Sequence, residues 1–222
     1  MQQIVPHRRA LVALSIFVVG LAGWPVPTGA QISTVTITSV VSDATGTATG
    51  TLGSGITTVL GGTGDLGGTP GALGASALTG QIPGLLTGEV LHAATIGGPG
   101  QVVSDVSTAN LVLEVGGTTI EADLVTAKAT SSPGAAGSGS ASIVNLSING
   151  VPIAVSGAPN QTIAILGGQV AINEVVQSSP TGVVVNALHI TVPGAADVII
   201  ASAAADASTV TGQASAVQAA GL

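Results

Sequence analysis

Three two-residue turns constrain the fold of this chain more than any other feature of its sequence. They are Gly116-Gly117, Asn149-Gly150 and Gly167-Gly168, and each separates two runs rich in Val, Ile, Leu and Thr. Gly and Asn accept the positive φ angles that a two-residue hairpin loop requires. Three such turns in one stretch of chain predict an antiparallel all-β domain.

The runs beside these turns alternate between apolar and polar residues, as half-buried strands do. In the first hairpin Leu111, Leu113 and Val115 share one face. The run Gly182–Val192 differs, because it has apolar residues on both faces, which is typical of a central strand covered on both sides. We therefore expect an all-β fold with an antiparallel β-sandwich-like domain over about 101–206.

The sequence on either side of this domain has a different composition. Residues 31–100 are rich in Gly and Thr and, apart from the alternating run Gln31–Ser42, have little preference for regular structure. We expect an irregular region of strand and loop here, in which Leu85–Thr95 is the one segment that could form a short helix. Residues 207–222 are expected to form an Ala/Ser-rich tail.

The N-terminus has the pattern of a secretory signal peptide. Arg8 and Arg9 precede the apolar run Ala10–Gly23, and Ala30 is a small residue at a suitable cleavage position. We predict cleavage between Ala30 and Gln31, which removes residues 1–30 and places the protein outside the cytoplasm. A membrane-spanning helix needs about 20 apolar residues, so we expect no transmembrane segment in the mature chain.

The composition after residue 30 excludes several functions. This part of the chain has no aromatic residue, no Arg and no Cys, and its ten acidic residues outnumber a single base, Lys128. Such a surface cannot release counterions from phosphates or stack bases, so we expect no nucleic-acid partner. The absence of Cys excludes a disulfide framework and a thiolate metal site. We expect no cofactor.

A series of short segments in the second half of the chain points to a family. They are Asp123–Ala129, Ser142–Ile153, Pro159–Ile163, Ile172–Glu174, Val185–Val192 and Ala196–Ala203. Their sequences and their order resemble those of the choice-of-anchor P family of bacterial secreted proteins, over about residues 101–206. The resemblance implies a secreted or surface-displayed domain without enzymatic activity, so it implies no catalytic residues.

One histidine is a candidate site residue. We expect His189 to be structural, with its ring hydrogen-bonded beside the core. The alternative groups His189 with Glu174 and Asp197, as metal ligands or as an acid and a base. Asn186 should share a strand face with Leu188, where a buried amide must be hydrogen-bonded.

Two further patterns have weaker functional interpretations. Gly62–Gly67 matches the dinucleotide pattern G-x-G-x-x-G, and Gly61–Asp65 resembles part of a calcium-binding repeat, but we expect a loop at both. Threonines alternate along 34–38 and along 45–51. On a strand they would repeat at about 7 Å and could order water, although Thr is also common on any solvated strand.

The sequence therefore predicts a secreted, non-enzymatic protein of the cell surface or extracellular matrix that acts in structure or adhesion. Its partners would be other copies of itself or other surface components, because its strands lack the Lys and Pro residues that usually protect sheet edges. One alternative is an extracellular enzyme with a metal or carboxylate site at His189, Glu174 and Asp197. Another is a water-ordering or ice-binding protein that uses the Thr arrays.

Overall fold

The structure is a computed structural model, and it describes residues 47–49 and 57–221. The predicted signal peptide, its cleavage position at Ala30 and Gln31, and the alternating run Gln31–Ser42 lie outside the described residues. Of the two Thr arrays, only Thr47 and Thr49 are described, as part of a strand backbone.

The described residues form fourteen strands and no helix. Consequently, this part of the chain contains no helix with the length and apolar character needed to cross a membrane. The strands are β1 (Thr47–Thr49), β2 (Thr57–Gly62), β3 (Gly71–Ile82), β4 (Leu86–Gly98), β5 (Gln101–Val115), β6 (Thr118–Ser131), β7 (Ser138–Val144), β8 (Ser147–Ile148), β9 (Val151–Pro152), β10 (Gln161–Ile165), β11 (Gly168–Gln177), β12 (Val183–Val192), β13 (Ala196–Asp206) and β14 (Thr211–Gly221).

These strands form two sheets that pack face to face, which confirms the predicted all-β, sandwich-like fold. The first sheet has the order β1-β3-β4-β5-β6-β8-β9, with β7 also paired to β6. The second has the order β10-β11-β12-β13-β14-β2. All pairs are antiparallel except β1 with β3. The core between the sheets is aliphatic, with large buried side chains that include Leu60, Leu91, Leu113, Ile120, Ile190 and Ile200.

The sandwich extends beyond residues 101–206 on both sides. Residues 71–98, where we expected irregular structure, form the long hairpin β3–β4, and the possible helix over Leu85–Thr95 is wrong because these residues belong mainly to β4. Residues 211–221, expected as a tail, form β14 between β13 and β2. Local preference for strand is weak in these Gly- and Ala-rich segments, so pairing with long neighbours determines their structure.

The three predicted hairpin turns are present. Gly116-Gly117 joins β5 to β6, and both residues have positive φ. Asn149-Gly150 also has positive φ at both positions, but it joins only the short strands β8 and β9. The third turn lies one residue earlier than expected, at Leu166-Gly167, because Gly168 is already paired in β11.

A transverse row of five residues changes the orientation of side chains in the second sheet. The row is Gly61, Asn173, Ala187, Ala201 and Ala216, one from each of five strands. Gly61, Asn173 and Ala201 have φ angles of 58°, 51° and 56°. Left-handed backbone of this kind interrupts the strict alternation of a strand. We call these five residues the crease row.

The crease row corrects the predicted face of Asn186. Ala187 and Leu188 are consecutive in the chain, yet both are fully buried, so the inward-facing positions change phase between them. Asn186 therefore lies on the outer face of the second sheet with His189, where both side chains contact the same carboxylate. Periodicity alone predicted that Asn186 shares a face with Leu188, because the sequence of β12 contains no sign of the left-handed residues in its neighbours.

Candidate functional site

The imidazole of His189 lies between two carboxylates on the outer face of the second sheet. Its Nδ1 is 2.8 Å from Glu174 Oε2, and its Nε2 is 3.0 Å from Asp197 Oδ1. The side chains of these three residues, in this order, are 22%, 25% and 38% exposed. Strand pairing brings them together from β11, β12 and β13, although Glu174 and Asp197 lie fifteen and eight residues from His189 in sequence.

The cluster continues across the same face through two more side chains. Asn186 Nδ2 donates to Glu174 Oε2 at 2.7 Å, and Ser202 Oγ donates to Asn186 Oδ1 at 2.7 Å. Asn186 and Ser202 are each 7% exposed. The buried amide of Asn186 is thus hydrogen-bonded at both ends, as the sequence analysis required. The crease row makes this geometry possible, because it puts Asn186 and His189 on one face.

The arrangement of the cluster limits its chemistry. Glu174 and Asp197 contact opposite nitrogens of His189, so one metal ion cannot take all three residues as ligands without their rearrangement. Among residues 47–49 and 57–221, no group of three or more His, Asp or Glu side chains is placed to hold a metal ion. Both contacts of His189 are hydrogen bonds when both ring nitrogens carry protons. The geometry is that of a hydrogen-bonded brace across three strands.

Replacing His189 tests this bracing role. His189→Gln retains at most one of the two contacts, so we expect the free energy of unfolding to fall by about 1 kcal/mol. His92→Gln is the matched control, because His92 is exposed on the first sheet and its replacement should change stability by less than about 0.5 kcal/mol. Urea unfolding followed by circular dichroism measures both. Equal stability of the two variants would contradict the bracing role.

The Gly-rich motif near residue 65 forms a loop, and no helix follows it. Asp65 Oδ1 accepts hydrogen bonds from Gly67 N at 2.9 Å and from Gly212 N at 3.4 Å. The aspartate thus ties the loop after β2 to the start of β14. A dinucleotide site would need a helix N-terminus at Gly67 to hold the pyrophosphate, whereas residues 67–69 form a turn that leads into β3.

Asp206 organises the loops at the same end of the sandwich. Its Oδ1 accepts hydrogen bonds from Thr181 Oγ1 at 2.7 Å and from the amide and hydroxyl of Ser208. Its Oδ2 accepts from Ser179 Oγ at 2.7 Å. These donors, with Thr181 the strongest, hold the pKa of Asp206 well below its ordinary value. Asp206 and Asp65 both line a cavity of about 300 Å³.

The lowered pKa of Asp206 has a consequence for stability. A carboxylate with a lowered folded-state pKa stabilises the fold above its unfolded pKa, and this contribution is lost as pH falls through the folded value. Asp206→Asn should therefore lower the free energy of unfolding by about 1 kcal/mol at neutral pH. The difference in free energy of unfolding between Asp206→Asn and the parent should persist down to about pH 5 and become smaller only in stronger acid. Urea unfolding at several pH values checks this, and a difference that disappears between pH 7 and 5 would contradict it.

The second candidate site is a side of the sandwich whose strands contain no ionisable residue. The chain contains no Asp, Glu, Lys, Arg or His from residue 129 to residue 173. This stretch includes β7, β8 and β9 at one edge of the first sheet and β10 at one edge of the second. We call the side formed by β7 to β10 the neutral side. Its large exposed apolar residues are Val144 and Val151, and Leu166, which is 73% exposed, lies beside it in the turn that follows β10.

Asn173 joins the two sheets at the neutral side. Its Oδ1 accepts a hydrogen bond from Ala141 N of β7 at 2.9 Å, and its Nδ2 donates to Gly157 O at 3.3 Å. The side chain is 4% exposed, and the residue belongs to the crease row. Asn173, which belongs to the second sheet, thus accepts a hydrogen bond from a backbone amide of β7 in the first sheet.

Comparison of the chain with protein-family models, with curated proteins and with solved structures finds no match. The sequence predicted His189, Glu174 and Asp197 as one possible group, and the structure brings all three together. The neutral side was not predicted, although the run without ionisable residues from 129 to 173 is visible in the sequence.

Proposed function

We propose that this chain is a secreted, non-enzymatic protein of the bacterial cell surface or extracellular matrix that acts in structure and adhesion. The observation that carries the proposal is the neutral side, where uncharged edge strands and exposed apolar residues leave a surface suited to protein contacts. The signal-like N-terminus supports export, and the resemblance to the choice-of-anchor P family supports display at the surface.

The role in adhesion would depend on strand edges and faces, since the chain offers few other means of recognition. The described residues contain no aromatic side chain and only one base, Lys128. Aromatic anchors and Arg dominate most protein interfaces. A protein without them can still associate through backbone hydrogen bonds at a sheet edge. In such a contact the main-chain hydrogen bonds provide the affinity, and the side chains provide the specificity.

One observation favours a second candidate function. The cluster of His189, Glu174 and Asp197 contains residue types that an enzyme would use as acid, base or metal ligands. Both nitrogens of His189 are already occupied by carboxylates, so we favour the structural role. Metal analysis of the purified protein separates the two candidates, because bound metal in stoichiometric amount would favour the enzyme.

The proposal is tested first by where the chain is found. Mass spectrometry of exported protein should identify a chain that begins at Gln31, with loss of ammonia if the terminal Gln cyclises. Val18→Asp interrupts the apolar run and should hold the chain inside the cell, whereas Val18→Leu preserves it and should not. Exported chains that retain residues 1–30 would reject the processing step, and a chain found only in the cytoplasm would reject the proposed function.

A further inference from the structure

The outer edge of β10 is the part of the neutral side best suited to pairing with another strand. The closing pair of the β10–β11 hairpin is Ile165 with Gly168. Because hydrogen bonding alternates along an antiparallel pair, residues 161, 163 and 165 bond to β11, while Thr162 and Ala164 direct their amides and carbonyls away from it. Both of these residues are exposed. Among the described residues, no strand pairs with this edge.

The other strands of the neutral side are less suited to pairing. The strand β9 is two residues long and contains Pro152, which lacks an amide donor. In β7, the amide of Ala141 is already bonded to Asn173. The edge of β10 has neither a proline nor a charged side chain within its five residues, so it lacks the usual features that prevent pairing.

We propose that β10 pairs antiparallel with β10 of a second copy of this chain, with Thr162 of each copy opposite Ala164 of the other. In this register Ile163 lies on the two-fold axis, and each of the two Thr162–Ala164 pairs exchanges two backbone hydrogen bonds. The inference rests on the proposed role in assembly, since it names the partner of the neutral side.

The distribution of charge argues for a second copy as the partner. Every ionisable side chain of the described residues lies outside 129–173, and all but Lys128 and two histidines are acidic. Two copies would repel each other if they met through their acidic surfaces, but the five residues of β10 contribute no charge to a contact between copies. The edge also matches itself, because antiparallel pairing about a two-fold axis needs the same hydrogen-bonding positions on both strands.

The small size of this edge limits the strength of the contact. Stable interfaces bury about 1,200 Å² or more in total, and a five-residue edge with small side chains covers less. We therefore expect reversible association that depends on protein concentration. Salt should strengthen it, because screening weakens the repulsion between the two acidic bodies.

Cysteine substitution tests the register directly, because the natural chain has no Cys. Residues opposite each other in a hydrogen-bonded pair have Cα atoms about 5.5 Å apart, which is within the range of a disulfide. A mixture of Thr162→Cys and Ala164→Cys exported proteins should give disulfide-linked dimers on mild oxidation, at least about fivefold more than either variant alone, since like positions are about 7–8 Å apart. Both side chains are exposed, so the fold should be retained.

The outcomes of this experiment decide the proposal. Preferential linkage in the mixture supports the register, whereas equal or negligible linkage in all three samples would overturn it. Ala164→Lys adds a charge to the edge and should weaken dimerisation at least about tenfold, while Thr87→Lys adds the same charge to an exposed site within the first sheet and should not. Unchanged dimerisation of Ala164→Lys would also overturn the proposal. Export is measured separately, so a monomeric but exported protein would refute self-pairing and leave the proposed function standing.

Discussion

Gly139→Ala is expected to lower the free energy of unfolding by about 3 kcal/mol, at the upper end of the usual range for overpacking. A Cβ atom at Gly139 would overlap the carbonyl oxygen of Lys128 and approach Val185 Cγ2 to 2.5 Å. Lys128 lies in β6, which pairs with β7, and Val185 lies in β12 of the second sheet. The absence of a side chain at Gly139 thus allows β7 to pack against both strands.

Gly100→Ala is the matched control for this prediction. A Cβ at Gly100 would have no neighbouring atom within 4 Å, and its φ is not in the left-handed region. This variant should be as stable as the parent or slightly more stable, because Ala restricts the unfolded chain. Urea unfolding followed by circular dichroism measures both variants. A loss below 1 kcal/mol in Gly139→Ala would show that β7 is not held as closely as the structure describes.

Asn173→Ala is expected to lower the free energy of unfolding by about 3 kcal/mol, for two separable reasons. The substitution leaves the half-buried Ala141 amide without its hydrogen-bond partner, which costs about 1 kcal/mol. It also places Ala at a φ of 51°, where Asn is better tolerated.

Asn173→Gly separates these two contributions. Gly accepts the left-handed conformation without strain, so this variant loses only the hydrogen bonds of the side chain. We expect its stability to lie between those of the parent and Asn173→Ala. The same unfolding measurement applies. If Asn173→Gly and Asn173→Ala were equally unstable, backbone conformation at the crease row would contribute nothing, contrary to our interpretation.

The parts of the fold that could be predicted from sequence are those encoded by local signals. Gly116-Gly117 and Asn149-Gly150 have the residue types that hairpin turns require, and they form such turns. The hairpin β3–β4 was not predicted, because its small residues have weak individual preferences and its order comes from pairing with β5. Local signals also gave no indication that β14 joins β13 to β2.

The candidate site was predictable in its members but not in its geometry. His189 and Glu174 were named together, yet no spacing along the chain places them 2.8 Å apart. Their contact depends on the pairing of β11 with β12 and on the left-handed conformation of Asn173 and Ala201. Such conformations in non-Gly residues are uncommon, and nothing in the alternation of apolar residues signals them.

Sedimentation equilibrium of the exported protein tests most directly the claim that the neutral side is a surface for self-association. The measurement covers a range of protein concentrations, from low to physiological salt and from pH 7 to pH 5. We expect a reversible monomer–dimer equilibrium whose dimer fraction rises with protein concentration, with salt, and as pH approaches the pI of about 4.4. A protein that stays strictly monomeric under all of these conditions would contradict the claim.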